Sequence, residues 1–438
     1  MKTFKRGVHP PERKKLSEYK EIQRIPIPPR VIVPLIQHTG APCTPLVKKK
    51  DKVEEGQKIA DQDAFISCPV HSPISGQVVS IEKMPHPTLG EAEAIIIEWD
   101  GQERKNWSYQ EIDLSSLSPE EIRKRVREAG IAGMGGAAFP THVKLTPPPD
   151  KKIDTVILNG CECEPYLTAD HRIMLEKPED MIFGLRLAMK ATGAQKGYIG
   201  IENNKKDAIS LIKKLVKSES NIKVVALKTK YPQGGEKMLI KAILGREVPS
   251  GGLPLDVGVV VQNVGTACAI TEAIKANKPL IERVIAVTGS GVNNPSNLMV
   301  PIGTPLGYIL DYCQVKDNFS VIITGGPMMG IAQFSLECPV IKGTSGILVM
   351  LENEVSLDEE EPCIRCARCV DHCPIGLLPT ILVKLIKAER WESLGEYHIM
   401  DCIECGSCAY VCPSKIPIVQ LIKWGKAEFR KLKSSSKK

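Results

Sequence analysis

Eight of the fifteen cysteines fall into two matching runs. The first is Cys363-x2-Cys366-x2-Cys369-x3-Cys373-Pro374, and the second is Cys402-x2-Cys405-x2-Cys408-x3-Cys412-Pro413. Three thiolates at this tight spacing converge on one face of an iron–sulfur cube, while the fourth, turned away before its proline, reaches a second cube. Cys363, Cys366, Cys369 and Cys412 are therefore expected to hold one 4Fe–4S cluster, and Cys402, Cys405, Cys408 and Cys373 the other. Such clusters pass electrons one at a time. Zinc sites or disulfides would use the same residue type, but zinc needs only four ligands per site and gives no reason for a doubled x2-x2-x3-Pro pattern. The other cysteines (Cys43, Cys68, Cys161, Cys163, Cys268, Cys313 and Cys338) are scattered and read as small buried hydrophobes.

Four further segments carry residue types suited to an anionic, flat-ringed ligand. Gly133-Met-Gly135-Gly136-Ala-Ala-Phe139-Pro-Thr-His-Val-Lys144 follows a helix, not the strand a dinucleotide fingerprint requires, and lacks a P-loop ending. It suits close approach of backbone to a ring and a phosphate, with Lys144 as counter-charge, although a purely structural turn would read the same way. Asn159-Gly-Cys161-Glu162-Cys163-Glu164-Pro165 ends a strand, where open α/β sheets bind ligands. Tyr231-Pro-Gln-Gly234-Gly235-Glu236-Lys237 opens a helix whose first amides favour an anion, and Gln262-Asn263-Val264-Gly265-Thr266 follows a buried strand and opens another.

These pieces need a scaffold. Strand-like, proline-rich sequence at Val31–Ile36, Val53–Ile59, Cys68–Ile81 and Ala94–Trp99 predicts a small all-β domain. Its phrases Val53-Glu-Glu-Gly56 and His71-Ser-Pro-Ile-Ser-Gly76 resemble biotinyl and lipoyl carriers of the barrel-sandwich type. The stretch Ala60–Ser67, where carriers hold their lysine, has none, so a structural or docking role is expected. A helix then begins at Ser118, with Pro119 in its first turn, Glu121 completing a capping box and Gly130 at its end. Strands at Thr155–Leu158, Gly197–Ile201, Lys223–Leu227 and Val257–Val261 alternate with helices at Pro178–Thr192, Lys205–Lys217, Glu236–Leu244 and Thr266–Ala276. This rhythm predicts a Rossmann-like α/β domain with a largely parallel sheet. Strands at Val284–Thr288, Val321–Thr324 and Gly346–Leu351 predict a compact β-rich module, and the acidic stretch Asp358–Glu361 links it to the cysteine array. Leu377–Arg390, between the two runs, has helical periodicity, so the array is expected in a small helical domain.

The chain has 438 residues, with 42% apolar and 25% charged, ordinary proportions for a globular protein of several domains. Net charge is +7, and much of the excess lies in Lys2–Lys20 and Lys415–Lys438. Those ends read as solvated tails, or as docking surfaces for an acidic partner or an anionic membrane. Only 5% of residues are aromatic and no basic stripe is interleaved with them, which argues against nucleic acid. No secretory signal and no apolar run of the roughly 18 residues a span needs is present, so a reducing cytosol and attachment only through a partner are expected.

The ordered set Gly-x-Gly-Gly-Ala-x-Phe-Pro-Thr, Asn-x-x-Glu-x-Glu-Pro and Asn-Val-x-Thr resembles the FMN-binding subunit of respiratory complex I. Over nearly its full length, from the Gly7-Val-His9-Pro10-Pro11 opening to the doubled cysteine run, the chain is similar to the RnfC family, the C components of the Rnf complex, an ion-translocating ferredoxin:NAD oxidoreductase. The resemblance implies a multidomain α/β and β architecture: a barrel-sandwich domain over 1–115, an FMN/NADH-binding α/β domain over 116–280, a β-grasp module over 281–352, a ferredoxin-like two-cluster domain over 353–423, and a basic tail over 424–438. It implies FMN held by Gly133, Gly135, Gly136, Lys144, Asn159, Glu162, Asn263 and Thr266, with NADH positioned by Phe139, Glu164 and Glu236. Gly235, Gln262 and Cys161 depart from the complex I pattern, which has glutamate, asparagine and aspartate there. The implied partners are NADH, ferredoxin, integral membrane Rnf subunits and a cytoplasmic ferredoxin-type cluster subunit, at the cytoplasmic face of the cell membrane. A soluble flavin/iron–sulfur reductase, such as a microcompartment cobalamin reductase, and an electron-wiring subunit without nucleotide chemistry are the alternatives.

Overall fold

The computed structural model describes residues 1–355 and 359–435. Asp358 of the acidic linker and Lys437 and Lys438 of the basic end lie outside the described residues.

The central unit is a four-stranded, all-parallel sheet in the order Ile222–Leu227, Lys196–Glu202, Thr155–Gly160, Val259–Asn263. Strands buried on both faces need apolar side chains throughout, and Val156, Ile157, Leu158, Val259, Val260 and Val261 are all buried. The helices Pro178–Thr192 and Glu236–Leu244 run over the residues expected, each ending at a left-handed glycine (Gly193 and Gly245). The helix Pro119–Glu128 is capped by Ser118 Oγ, which accepts from the Glu121 amide at 3.1 Å.

Residues 30–99 form two antiparallel sheets, one of four strands and one of three, closed over Val31, Val33, Ile59, Val78, Ile95 and Ile97. The two long strands read in its middle are each broken. Val53–Ile59 becomes Lys52–Val53 and Lys58–Asp61, in different sheets, and Cys68–Ile81 becomes Val70–His71 and Gly76–His86. The chain turns at Gly56 (φ 86°) to cross from one sheet to the other, so one apolar run serves two layers.

The third unit is a mixed six-stranded sheet in the order Ile22–Arg24, Ser296–Pro301, Glu282–Thr288, Gly346–Leu351, Phe319–Thr324, Ile331–Ala332, with the helix Leu306–Tyr312 packed on it. The strand Ser296–Pro301 and that helix escape the sequence reading because every residue of the strand is buried, which erases the alternation that marks one.

The described residues of both basic ends are structured. Residues 1–24 do not trail into solvent: Lys2 bridges Leu227, Val8 bridges Tyr231, and Ile22–Arg24 adds an edge strand to the third sheet. At the other end a single helix, Ile418–Ser435, runs through residue 424, where a tail was expected to begin. Phe429 is buried in the core of the cysteine domain, and Lys426 Nζ donates to Cys402 O and to Glu404 Oε1, both at 2.6 Å. Apolar contacts thus extend the helix past the boundary that charge alone suggests.

Candidate functional site

The register of the central sheet sets Asn159 opposite Asn263 at the carboxyl edge. All four loop segments meet there. Asn263 Oδ1 accepts from the amides of Gly265 (2.8 Å) and Thr266 (3.3 Å), capping the helix Val264–Lys275, while its Nδ2 donates to Asp170 Oδ2 at 2.7 Å. Met134 N donates to Thr266 Oγ1 at 2.9 Å, and Gly133 N to Phe139 O at 2.9 Å, so the glycine loop is hung on the helix start and folded back on itself. Gly135 lies flat against Asn263: a Cβ there would stand 2.8 Å from Asn263 Nδ2. Gly136 faces open space and is exposed, and Phe139 is half-buried where the loop returns. Asn159 Nδ2 donates to Gly234 O at 2.8 Å and its Oδ1 accepts from Cys161 N at 3.2 Å, tying in the third segment. Lys144 Nζ reaches this edge, donating to Glu236 Oε1 at 2.8 Å and to Val261 O at 3.1 Å.

The two glutamates of the acidic loop diverge. Glu162 accepts from the amides of Asp170 (2.7 Å) and His171 (3.2 Å), which caps the helix Ala169–Glu176. Glu164 turns toward the third sheet and accepts from the amides of Met328 (3.0 Å) and Met329 (2.9 Å). Burial pushes its carboxyl up to about 7 against the pull of those amides. The carboxylate expected beside a nicotinamide thus also braces the central unit against the third sheet.

Several residues that position this edge have no motif of their own. Lys14, fully buried, donates to the carbonyls of Glu162 (2.9 Å), Glu164 (2.9 Å) and Leu167 (2.5 Å). Lys205, also buried, donates to Cys161 O at 2.6 Å. Arg283 Nη2 donates to Met134 O at 3.1 Å, and burial lowers that guanidinium to about 10. Asp170, which holds Asn263, is raised by burial and by the nearby charge of Glu162. The lysine-free tip of the β domain also lies on the glycine loop: Thr39 Oγ1 donates to Ala137 O at 2.7 Å, and His142 Nε2 stands 3.2 Å from Phe65 O.

In the cysteine domain, Cys373, Cys402, Cys405 and Cys408 line one cavity, walled by Ile375, Leu377, Val419 and Ile422. This is the crossed set: three thiols of the second run with the fourth of the first. Cys369 and Cys412 are electrostatic neighbours, as the complementary set requires, while Cys363 and Cys366 are exposed. As free thiols, Cys402 is pushed up to about 11 by burial, so ligation there must be coupled to proton release. The cavity abuts the site edge. Tyr231 Oη donates to Cys405 O at 2.7 Å, and Cys163, Ile403 and Met328 pack around Val8, Tyr231 and Cys405.

Three family models match. The RnfC barrel sandwich hybrid domain covers residues 2–102, the Nuo51 FMN-binding domain 126–272, and the 4Fe-4S dicluster domain 362–416. The chain is 48% identical to the C component of the proton-translocating ferredoxin:NAD(+) oxidoreductase complex of Clostridium ljungdahlii, over 98% of this chain and 94% of that protein. The chain belongs to the RnfC family. Another member, the C component of the Na(+)-translocating complex of Acetobacterium woodii, is 46% identical over 97% of each chain. Among solved structures, the NAD+-reducing [NiFe]-hydrogenase in the H2-reduced state matches 70% of this RnfC-family chain and 63% of its own, with a TM-score of 0.52 and 19% identity, a likeness of fold.

Proposed function

We propose that this chain carries electrons between a nicotinamide dinucleotide and two 4Fe–4S clusters by way of FMN, as the nicotinamide-reactive subunit of a membrane-bound, ion-translocating ferredoxin:NAD oxidoreductase. The observation that carries the reading is the convergence of Gly135, Asn159, Asn263 and Lys144 on one sheet edge that abuts the cavity of Cys373, Cys402, Cys405 and Cys408.

The residues present fit FMN. A side chain at Gly135 would fill the cradle, Gly136 opens onto solvent, and Gln233 Nε2 and Gln262 Nε2 are buried donors beside this edge with no partner among the described residues. Gly133, Gly135 and Gly136 would admit the ring and phosphate to the backbone, Lys144 would neutralise the phosphate, and Asn159, Asn263 and Thr266 would fix the loops. Phe139 would flank the nicotinamide. Glu236 orients Lys144 through their ion pair, whereas Glu162 and Glu164 hold the acidic loop in place. FMN accepts a hydride as an electron pair and releases electrons singly, which a nicotinamide cannot do. The protein's share is to orient the two rings, keep water from the dry seam at Tyr231, and set the cluster of Cys373, Cys402, Cys405 and Cys408 nearest the flavin. The more exposed cluster of Cys363, Cys366, Cys369 and Cys412 then faces the next carrier, a ferredoxin-type subunit or ferredoxin.

Further assignments complete the reading. The strand order of residues 282–351, with its two central strands parallel and its helix between the second and third strands, supports a β-grasp module. The division into units of 1–115, 116–280, 281–352 and 353–423 is kept, with two amendments: residues 1–24 serve the second, third and fourth units, and the last unit extends through the helix to Ser435. Among the described residues no helix is long and apolar enough to cross a membrane, so attachment at the cytoplasmic face would run through integral subunits. The test is anaerobic isolation of the full chain, identification of the released flavin, and addition of NADH while the visible spectrum is followed. FMN and bleaching of flavin and then clusters are expected; FAD, or no response to NADH, would refute the assignment.

A further inference from the structure

The opening Gly7-Val8-His9-Pro10-Pro11 lies in the arm that precedes the barrel-sandwich sheets and takes no part in the chemistry above. Its backbone nonetheless joins the flavin unit to the cluster domain. Val8 N donates to Tyr231 O at 2.8 Å and Tyr231 N donates to Val8 O at 2.9 Å. Next to this pair, Gly7 N donates to His372 O at 3.2 Å and Arg6 Nη1 to Val370 O at 3.3 Å. Val370 and His372 lie between Cys369 and Cys373, which the spacing assigns to different clusters. Tyr231, held by Val8, donates in turn to Cys405 O. Val8, Tyr231 and Cys405 are all buried, so the joint is dry.

The sequence is specific for this joint. Gly7 has φ 81°, and a Cβ on it would stand 2.5 Å from Tyr231 O and 3.0 Å from the Phe4 ring. Any other residue is both strained and obstructed there. The arm is anchored on the flavin unit to either side: upstream by Lys2, which bridges Leu227 and donates to Ile243 O at 2.5 Å, and downstream by Lys14 on the acidic loop. A segment pinned at both ends and touching the cluster loop at its middle acts as a splint.

We propose that the N-terminal arm fixes the spacing between the flavin edge and the cluster of Cys373, Cys402, Cys405 and Cys408, with Gly7, Val8 and Tyr231 as positioning residues for electron passage. This rests on the flavin-and-cluster reading above. Electron passage falls steeply with separation, so a displacement that leaves both centres intact still slows it.

The test uses the full chain loaded with FMN and clusters, as wild type, Gly7→Val, Gly7→Ala and Tyr231→Phe. Hydrogen exchange is read at residues 369–376 and at the strand Thr155–Gly160. NADH oxidation with a dye that accepts at the flavin is compared with the rate of cluster bleaching. In Gly7→Val, exchange over 369–376 should quicken while the strand is unchanged, KM for NADH and dye-linked kcat should hold, and cluster bleaching should slow by about tenfold or more. Tyr231→Phe, which removes only the hydroxyl, should show the same split to a smaller degree. Should Gly7→Val fail to fold, Gly7→Ala and Tyr231→Phe decide the matter. Bleaching that keeps pace with flavin reduction in both, or exchange over 369–376 that does not change, overturns the splint. A wild-type chain whose flavin ignores NADH overturns the functional reading beneath it.

Discussion

At the scale of single residues, local chemistry was legible and the destination of side chains was not. The cysteines could be read because a cluster's ligands are spaced along a few residues of chain, and the cavity of Cys373, Cys402, Cys405 and Cys408 gathers the set that spacing implies. That crossed set makes a prediction. Cys373→Ser should lower iron from about eight per chain to about four. Its remaining EPR signal should match that of Cys405→Ser, in the second run, and differ from that of Cys366→Ser, in its own. A signal shared with Cys366→Ser instead would mean that each run holds its own cluster. Gly135 reads in the sequence as a place without room for a side chain, and in the fold it lies against Asn263. Its Cβ would meet Asn263, so Gly135→Val should yield protein that folds, keeps both clusters and releases no FMN on denaturation. Recovery of a full equivalent of FMN would remove Gly135 from the site. Glu162 and Glu164 show the opposite case. Their spacing places both on one loop, but which amides take up their charge depends on how the next helix, Ala169–Glu176, folds back on Glu162 and on Met328, far along the chain, reaching Glu164.

At the scale of elements, the strands and helices of the central sheet could be read because each keeps one periodicity along its length. The helix Ala169–Glu176 could not, for it is short and buried over most of its surface. Lys14 likewise read as part of a solvated basic run, and only packing reveals that three carbonyls surround it. The brace between the central and third sheets makes a prediction of its own. Glu164 has its carboxyl raised from 4.5 to about 7 by burial, so the closed form holds a proton that the opened form has lost by then. Between those two pH values the closed brace should therefore weaken as pH rises, and below about 4.5 both forms are protonated and the dependence vanishes. With about 1.4 kcal/mol per pH unit, the full effect is about 3 kcal/mol. Amide exchange at Met328 and Met329, corrected for its intrinsic base catalysis, should report opening that becomes easier from pH 5 to pH 7.5. Glu164→Gln should flatten that slope. A slope that persists in Glu164→Gln would assign the titration to another group.

At the scale of the whole molecule, the order of units was legible and their joints were not, since joints are made by residues whose types look ordinary. The basic ends are the plainest instance. Charge suggested two tails able to dock electrostatically, yet Arg6 and Lys14 are spent on carbonyls of the flavin and cluster units, and Lys426 on Cys402 and Glu404. What remains exposed for docking includes Lys5, Lys15, Lys20 and Lys423. Truncation at two points separates structure from docking. Cutting after Lys423 removes Lys426 and Phe429, so it should cost the cluster whose loop Cys402 begins and lower iron to about four per chain. Cutting after Arg430 spares both residues and should leave iron unchanged. Exposed charges are screened beyond about 10 Å at 0.1 M salt, so an attachment resting on them should be washed from native membranes as ionic strength rises. With so many of the basic residues engaged inside the chain, the protein cut after Arg430 should stay on the membrane through a salt wash that strips purely electrostatic binders. Release of that protein with its iron intact would show that the last turns of the helix carry the attachment. Recovery of the full-length chain in the soluble fraction at low salt, with the other subunits present, would remove it from the membrane altogether and leave a soluble flavin/iron–sulfur reductase.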